Sequence, residues 1–361
     1  MNIEVQKAIE NVRLVDADRN YWFIRSYGGQ MFQDFVKRKY VGIGLNEVPF
    51  EYLNEYKEAD DDDKSYNRIR NYIEKNTTYK DGEATKWTNQ LINFQHKAKK
   101  GDLVIVPNKN STYFHIGVIE SDVYQVHEDL TFFHNKKYEK FPDKRRDVRW
   151  EKLISHHDVR TDLRGMTSTH QAITLVNKYS EGIEGHISSI YIKEDKMHLV
   201  IKVNQDEDIN AFDLKDFLSS ITFFYKEFCA EEGIDVEDLT IKIKLQSKGK
   251  LALKAAVYGG IIGIGSLILL SNNNEFKAEV AGQKIEFKTG DGLLKSISDF
   301  KDANQKRKME YEIFQNSMKN LKVKVVDEKD DELNNDIAND SVENGEADNG
   351  KNNSADDENP N

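Results

Sequence analysis

Nine side chains in the first 150 residues carry the chemistry needed to hold a nucleic-acid base and its phosphate. They are the rings of Trp22, Tyr113, Phe114, Tyr124 and Trp150 and the guanidinium groups of Arg25, Arg145, Arg146 and Arg149. Flat aromatic faces stack bases, and guanidinium groups pair with phosphate oxygens. Phe23, Tyr27 and Lys144 have the same character, and KRRDVR (144–149) sets four cations in six positions beside the aromatic Trp150. The competing reading for each ring is barrel core, and for the cations a solvated face.

Other reactive side chains do not assemble into a catalytic pattern. Asp60 to Asp63 is a run of four acids in a polar stretch, which reads as a solvated loop. His156 and His157 are adjacent, so on a strand they point to opposite faces and cannot share one site. Gly165 to Ile173 holds Ser168, two threonines and His170, but no sharp elbow to raise a nucleophile; it suits a helix N-cap. The single cysteine, Cys229, excludes an internal disulfide and a cysteine-based zinc site. No catalytic residue, metal ligand or cofactor site follows from these residues, and an enzymatic role is not favoured.

The elements that must position the nine residues are short and closely spaced. Tyr21 to Arg25 predicts a strand broken by Gly28-Gly29, Met31 to Lys39 a short helix, and Tyr40 to Leu45 a second strand. Lys86 to Lys97 predicts a helix, with Trp87, Leu91 and Phe94 on one face. Leu103 to Val106 and Tyr113 to Glu120 predict paired strands, and Arg149 and Trp150 close another. Strands this close together, with helices outside, suggest a small closed or partly closed barrel. Beyond it, Ile173 to Ile187 has a helical period, Ser188 to Lys193 and Met197 to Val203 alternate as strands, Ala211 to Glu232 is a strong helix, and Thr240 to Leu245 a last strand.

The order Tyr-Trp-Phe-Ile-Arg (21–25), a helix with Asp34-Phe35, then Val41-Gly42-Ile43-Gly44 resembles the N-terminal region of Mrr-type restriction system proteins. Gly101-Asp102-Leu103-Val104 with Pro107, Ile116-Gly117-Val118-Ile119, and Arg145 to Trp150 extend the similarity over about residues 20 to 155. That region is similar in turn to the PUA/EVE-like barrels that recognise modified bases or RNA. The resemblance implies a base-binding module. The nuclease domain that normally follows it is not evident: Glu237-Asp238 before Lys242 and Lys244 lacks the acid, spacer, acid-x-Lys order.

Leu251 to Leu270, LALKAAVYGGIIGIGSLILL, holds one charge, Lys254. Twenty helical residues span the roughly 30 Å of a bilayer core, so the stretch predicts a transmembrane helix with Lys254 reaching back to the headgroups. Ala255, Gly259 and Gly263, with Ala256 and Gly260, recur every four residues and would let a second copy approach closely. The lysine excess before the span, with an N-terminus lacking a secretory signal, predicts cytoplasmic N-terminal domains.

The net charge of −11 is uneven, because residues 327–361 hold 13 Asp plus Glu against 2 Lys and the rest is balanced. That acidic, aromatic-free tail predicts disorder. The expected architecture is α+β: a PUA/EVE-like β-barrel with flanking helices (1–160), a second α+β domain (165–247), one transmembrane helix (251–270), a hairpin plus helices (275–326) and the tail. The expected function is a membrane-anchored sensor or effector of an anti-phage or restriction-like system, whose barrel binds nucleic acid or a modified nucleotide. A degenerate restriction-type nuclease and a non-catalytic membrane scaffold are the alternatives.

Overall fold

Tyr21 to Ile24 and Leu103 to Pro107 are apolar at every position, the pattern of strands buried on both faces. The computed structural model, which describes residues 3–58, 63–156, 163, 165–203, 208–236, 239–244, 249–272, 276–280, 283–287 and 291–324, puts them side by side and parallel. The first half of the chain runs α1 (Ile3–Glu10), β1 (Arg13–Leu14), β2 (Tyr21–Ile24), α2 (Phe32–Lys37), β3 (Tyr40–Ile43), α3 (Phe50–Asn54), α4 (Lys64–Asn76) and α5 (Asp81–Ile92). It continues through β4 (Leu103–Pro107), β5 (Tyr113–Ile119), β6 (Tyr124–Gln125), β7 (Thr131–His134), β8 (Lys137–Lys140), β9 (Lys144–Ser155) and β10 (Ile173–Leu175).

These strands build a curled half-barrel in the order β10-β2-β4-β5-β9-β3, with β6 also on β9. The twelve-residue β9 makes the curl, since its first four residues pair with β3 and its remainder with β5. Period-two alternation sorts the side chains. Trp22, Ile24, Val104 and Val106 join a core beneath α2 to α5, while Tyr21, Phe23, Leu103 and Ile105 join another on the opposite face.

The second half runs α6 (Ser180–Ile187), β11 (Ile190–Lys193), β12 (Lys196–Val203), α7 (Ala211–Glu231), β13 (Thr240–Lys244), β14 (Gly249–Ala255), α8 (Tyr258–Asn272), a hairpin of β15 (Phe276–Val280) and β16 (Gln283–Phe287), α9 (Asp291–Asp302), α10 (Gln305–Asn320) and β17 (Val323–Lys324). Its sheet has the order β1-β11-β12-β14-β13, with β17 also on β12. The chain exchanges strands between sheets: β1 precedes the half-barrel yet pairs with β11, and β10 follows it yet pairs with β2. The expected helix over Ile173 to Ile187 is therefore a strand, a 3₁₀ turn and the short α6.

The expected transmembrane helix is overturned. Leu251 to Ala255 belongs to β14, where Leu251, Leu253 and Ala255 enter the core and Lys254 points the other way to bind Glu181 at 2.9 Å. The alternation L-A-L-K-A is a strand signal that a count of apolar residues conceals. Only α8 remains helical, and its 15 residues cover about 22 Å against the roughly 30 Å required. Among the described residues no helix is long and apolar enough to cross a membrane. Single-pass membrane localisation and the cytoplasmic placement derived from it fall with the helix. Of the lysines taken as an orientation signal, Lys242, Lys244, Lys250 and Lys254 lie on sheet strands, and Lys248 lies outside the described residues.

The helix is apolar all round because it is a core element. Ile261, Ile264, Leu267 and Ile268 are buried among α1, α7, α9, α10 and the second sheet. The small residues expected to mediate self-association are used within the chain. Ala255 pairs with Met197, and Gly259 faces Val5. A Cβ on Gly260 would sit 2.6 Å from the Tyr225 ring, and one on Gly263 would collide with the Phe228 ring. Gly263→Leu is expected to lower stability by about 1–3 kcal/mol through overpacking, read as a reduced urea midpoint. An unchanged midpoint would show that α7 and α8 do not pack this way. The acidic tail lies outside the described residues.

Candidate functional site

The stretch Lys144 to Arg149 is the place to begin, and its charges are spent inside the fold. Lys144 is fully buried and donates to the Leu45 carbonyl at 3.2 Å and to Asp143 at 2.9 Å. Arg145 grips Glu128 at both ends, at 3.2 and 3.0 Å, and lies over the Tyr40 ring at 4.3 Å. Hydrogen bonds from Arg38 and Arg145 hold the Glu128 carboxyl down at about 2.

Arg146 is the most committed of the four. A π-helical turn, Asn93–Lys97, extends α5 and leaves carbonyls without helical partners. Arg146 donates to the main-chain oxygens of Phe94, Gln95, Ala98 and Ser121 at 2.9, 3.0, 2.6 and 2.9 Å. Burial lowers its pKa to about 10. Arg149 is partly exposed but pairs with Glu120 at 2.8 Å and with Glu151. Three cations of the expected phosphate-binding cluster, Lys144, Arg145 and Arg146, are thus internal staples, and Arg149 is held in partly exposed ion pairs.

Of the five expected stacking rings, Trp22 and Phe114 are core and the other three are half-buried. Trp22 donates to Asp102 at 2.9 Å, a carboxylate that also takes the Asn20 and Lys99 amides. Phe114 is fully buried, Tyr124 donates to Asp147 at 2.7 Å, and half-buried Tyr113 pairs with Ser155 at the end of β9. Trp150 donates to the Phe35 carbonyl at 3.2 Å and stacks on His115 at 4.8 Å. Burial drives the His115 pKa down to about 4, and its Nδ1 makes no hydrogen bond among the described residues. Of the histidines weighed in the sequence, His156 takes its place beside Phe114, His157 lies outside the described residues, and His170 borders the cavity described next.

Of the nine predicted residues only Arg25 reaches an open site, where Tyr27 joins it. Beyond β2 the chain turns through Tyr27, Gly28 and Gly29, all with positive φ. Only glycine fits at 29, where a Cβ would collide with the Lys109 main chain, and Gly44 leaves room for the Tyr27 hydroxyl, 2.6 Å from where a Cβ would be. This turn forms one wall of a cavity of about 1460 Å³. The other walls are the end of β3, the α4–α5 connection, the exposed side of α5, the β7–β8 hairpin and residues 169–172.

Two ring pairs dominate the cavity. Tyr79 and Trp87 lie 5.5 Å apart at 44°, both half-buried. Tyr27 meets His134 edge-on at 5.9 Å and Phe132 at 5.1 Å, which ties the hairpin to the β2 turn. Asn135 and Lys136 both adopt positive φ, as a two-residue type I′ hairpin requires. That leaves Tyr138, 75% exposed, at the cavity rim. Arg25, Lys86, Lys137 and Lys140 line the same space, opposed by Glu47, Glu83 and Glu139. Arg25 is steadied by the Thr167 carbonyl at 3.1 Å and the Thr169 carbonyl at 2.8 Å.

The architecture is an α+β chain whose half-barrel opens onto an aromatic, cation-rimmed cavity. Residues 28–176, from the β2 turn through β10, match the domain of unknown function DUF8426. A search of curated proteins finds no match.

The sequence reading missed Tyr79, Lys86, Trp87 and Tyr138. Trp87 shares the helical spacing of Leu91 and Phe94, but it sits one turn earlier, at the border of the α5 apolar stripe. The signal for Tyr138 was its pairing with Phe133 across a tight turn, which puts two large rings on an outward face.

Proposed function

We propose that the half-barrel binds a base or modified nucleotide displayed by a nucleic acid, with the base between the Tyr79/Trp87 wall and Tyr138. The observation that carries this reading is the cavity itself, whose lining brings the rings of Tyr27, Tyr79, Trp87 and Tyr138 together with the cations Arg25, Lys86, Lys137 and Lys140. Rings suit a base of any sequence, and rim cations suit the backbone phosphates on either side. The resemblance of residues 20 to 155 to the modules of Mrr-type restriction proteins also supports it, and is the ground for proposing a sensor in a restriction-like or anti-phage system.

Fluorescence anisotropy with labelled single-stranded DNA and RNA, with and without modified bases, tests the reading on the full chain. Tyr138→Ala combined with Lys86→Ala removes two exposed groups and is expected to weaken binding at least about fivefold, given the usual contribution of one stacked base. Equal affinity of variant and wild type, or no binding to any oligonucleotide, would reject it.

A further inference from the structure

A second cavity, of about 450 Å³, lies between the first turn of α6 and the second sheet. It is built wholly from residues beyond 176, outside the stretch that matches DUF8426. The register explains its chemistry. His198 lies directly across from Lys254, and Lys242 is two positions along the next strand, so all three project from the same face of the sheet. Lys193 reaches in from the end of β11 and Lys178 from the turn before α6.

Four ammonium groups therefore meet two carboxylates. Glu181 answers Lys254 at 2.9 Å and Lys242 at 3.5 Å; Glu194, 3.8 Å from Lys193, is mostly exposed. Two positive charges are left over. Placing like charges together on one sheet face is unfavourable unless something compensates them.

Three further features point to what does. Lys193 is 8% exposed, held by the Ser180 hydroxyl at 2.7 Å and by the Tyr21 ring at 5.2 Å, so its charge is fixed in position rather than free in solvent. The side chain of the N-cap residue, Tyr179, makes no capping hydrogen bond to α6, and Ser180, Glu181 and Gly182 of its first turn line the cavity at the positive end of the helix. His198 is 4% exposed, stacked on Tyr191 at 4.6 Å, and lines the cavity. Burial holds its pKa at about 4, so it is neutral near pH 7 and offers one N–H toward the cavity.

We propose that this cavity is a binding site for a small dianion of the phosphate-monoester class, held by Lys178, Lys193, Lys242 and Lys254 with the His198 N–H at its floor. A dianion matches the surplus of two charges, and its oxygens satisfy the ammonium donors and the imidazole together. The site is independent of the base-binding cavity.

Inorganic phosphate is the probe, titrated into the full chain at constant ionic strength while the side-chain nitrogen resonances of His198 are followed. Saturable movement of those resonances is expected with phosphate and not with chloride. Lys178→Ala with Lys242→Ala changes two exposed side chains and is expected to weaken phosphate at least about tenfold, the loss of charge-assisted contacts. Trp87→Phe, in the other cavity, is expected to leave phosphate affinity unchanged. Immobile His198 resonances, an equal response to chloride, or undiminished affinity in the double variant would each overturn the proposal.

Discussion

Arg146→Ala is expected to remove about 3–5 kcal/mol of stability, enough to leave much of the chain unfolded at 37 °C, because it breaks a buried charged network instead of trimming a surface cation. The guanidinium joins β9 to four carbonyls of the α5 extension and the β5–β6 connection. Alanine leaves those oxygens in a site from which water is excluded, and each unsatisfied buried acceptor costs about 1–3 kcal/mol. Arg146→Lys is expected to recover little, since an ammonium is a point donor and cannot span four acceptors. Arg149→Ala is the control: its side chain is 40% exposed and its ion pairs are worth about 0–1 kcal/mol. Urea denaturation of the three variants separates the cases. A wild-type midpoint for Arg146→Ala would mean that KRRDVR is a surface cluster after all.

Glu184→Ala is expected to have a similar effect at the junction of the two sheets. Glu184 is fully buried on α6 and meets Arg13 at 2.6 Å, Arg19 at 3.3 Å and the Tyr21 hydroxyl at 2.7 Å. Arg13 sits on the second sheet, while Tyr21 begins the half-barrel strand β2. Burial, followed by the nearby Glu184 charge, pushes the Tyr21 phenol well above its usual range, so it stays a donor. Removing the carboxylate strands two guanidinium groups and a phenol with side-chain exposures too low for solvent to compensate, at a cost of about 3–5 kcal/mol. Glu184→Gln keeps the volume and is expected to lose most of the same energy, because a neutral amide leaves the arginines unpaired. A loss within about 0.5 kcal/mol, the range of ordinary surface substitutions, would contradict the role assigned to Glu184.

The strands of the half-barrel were legible because their apolar runs and the turns that bound them are local. Tyr21 to Ile24, Leu103 to Pro107 and Tyr113 to Ile119 read as strands and are strands. The long α7, the β11–β12 pair and the β15–β16 hairpin were legible for the same reason. Misreadings arose where one stretch supports two periods. Leu251 to Leu270 contains five alternating residues followed by an apolar helix, and hydropathy averaged over twenty residues merges them. The difference depends on α1, α7, α9 and α10 being there to bury the helix, which is tertiary information.

The site was harder to read, since a charged side chain is equally able to bind a ligand or a carbonyl. Arg146 became a staple only because α5 ends in a π turn against it, and nothing in KRRDVR foretells that turn. Glu184 has no local mark either, as its partners lie 163 or more residues away. The cavity rings come from a helix, a loop and a hairpin that no short motif links.

Tryptophan fluorescence tests the central claim most directly, because the chain has three tryptophans and only Trp87 borders the cavity. Trp22 is buried and bonded to Asp102, and Trp150 is stacked on His115. Titrating the full chain with single-stranded oligonucleotides is expected to quench emission saturably, and Trp87→Phe is expected to abolish that quenching while still binding weakly by anisotropy. Quenching that persists in Trp87→Phe, or none in the wild type at any concentration that binds, would place the nucleic acid elsewhere and contradict the account.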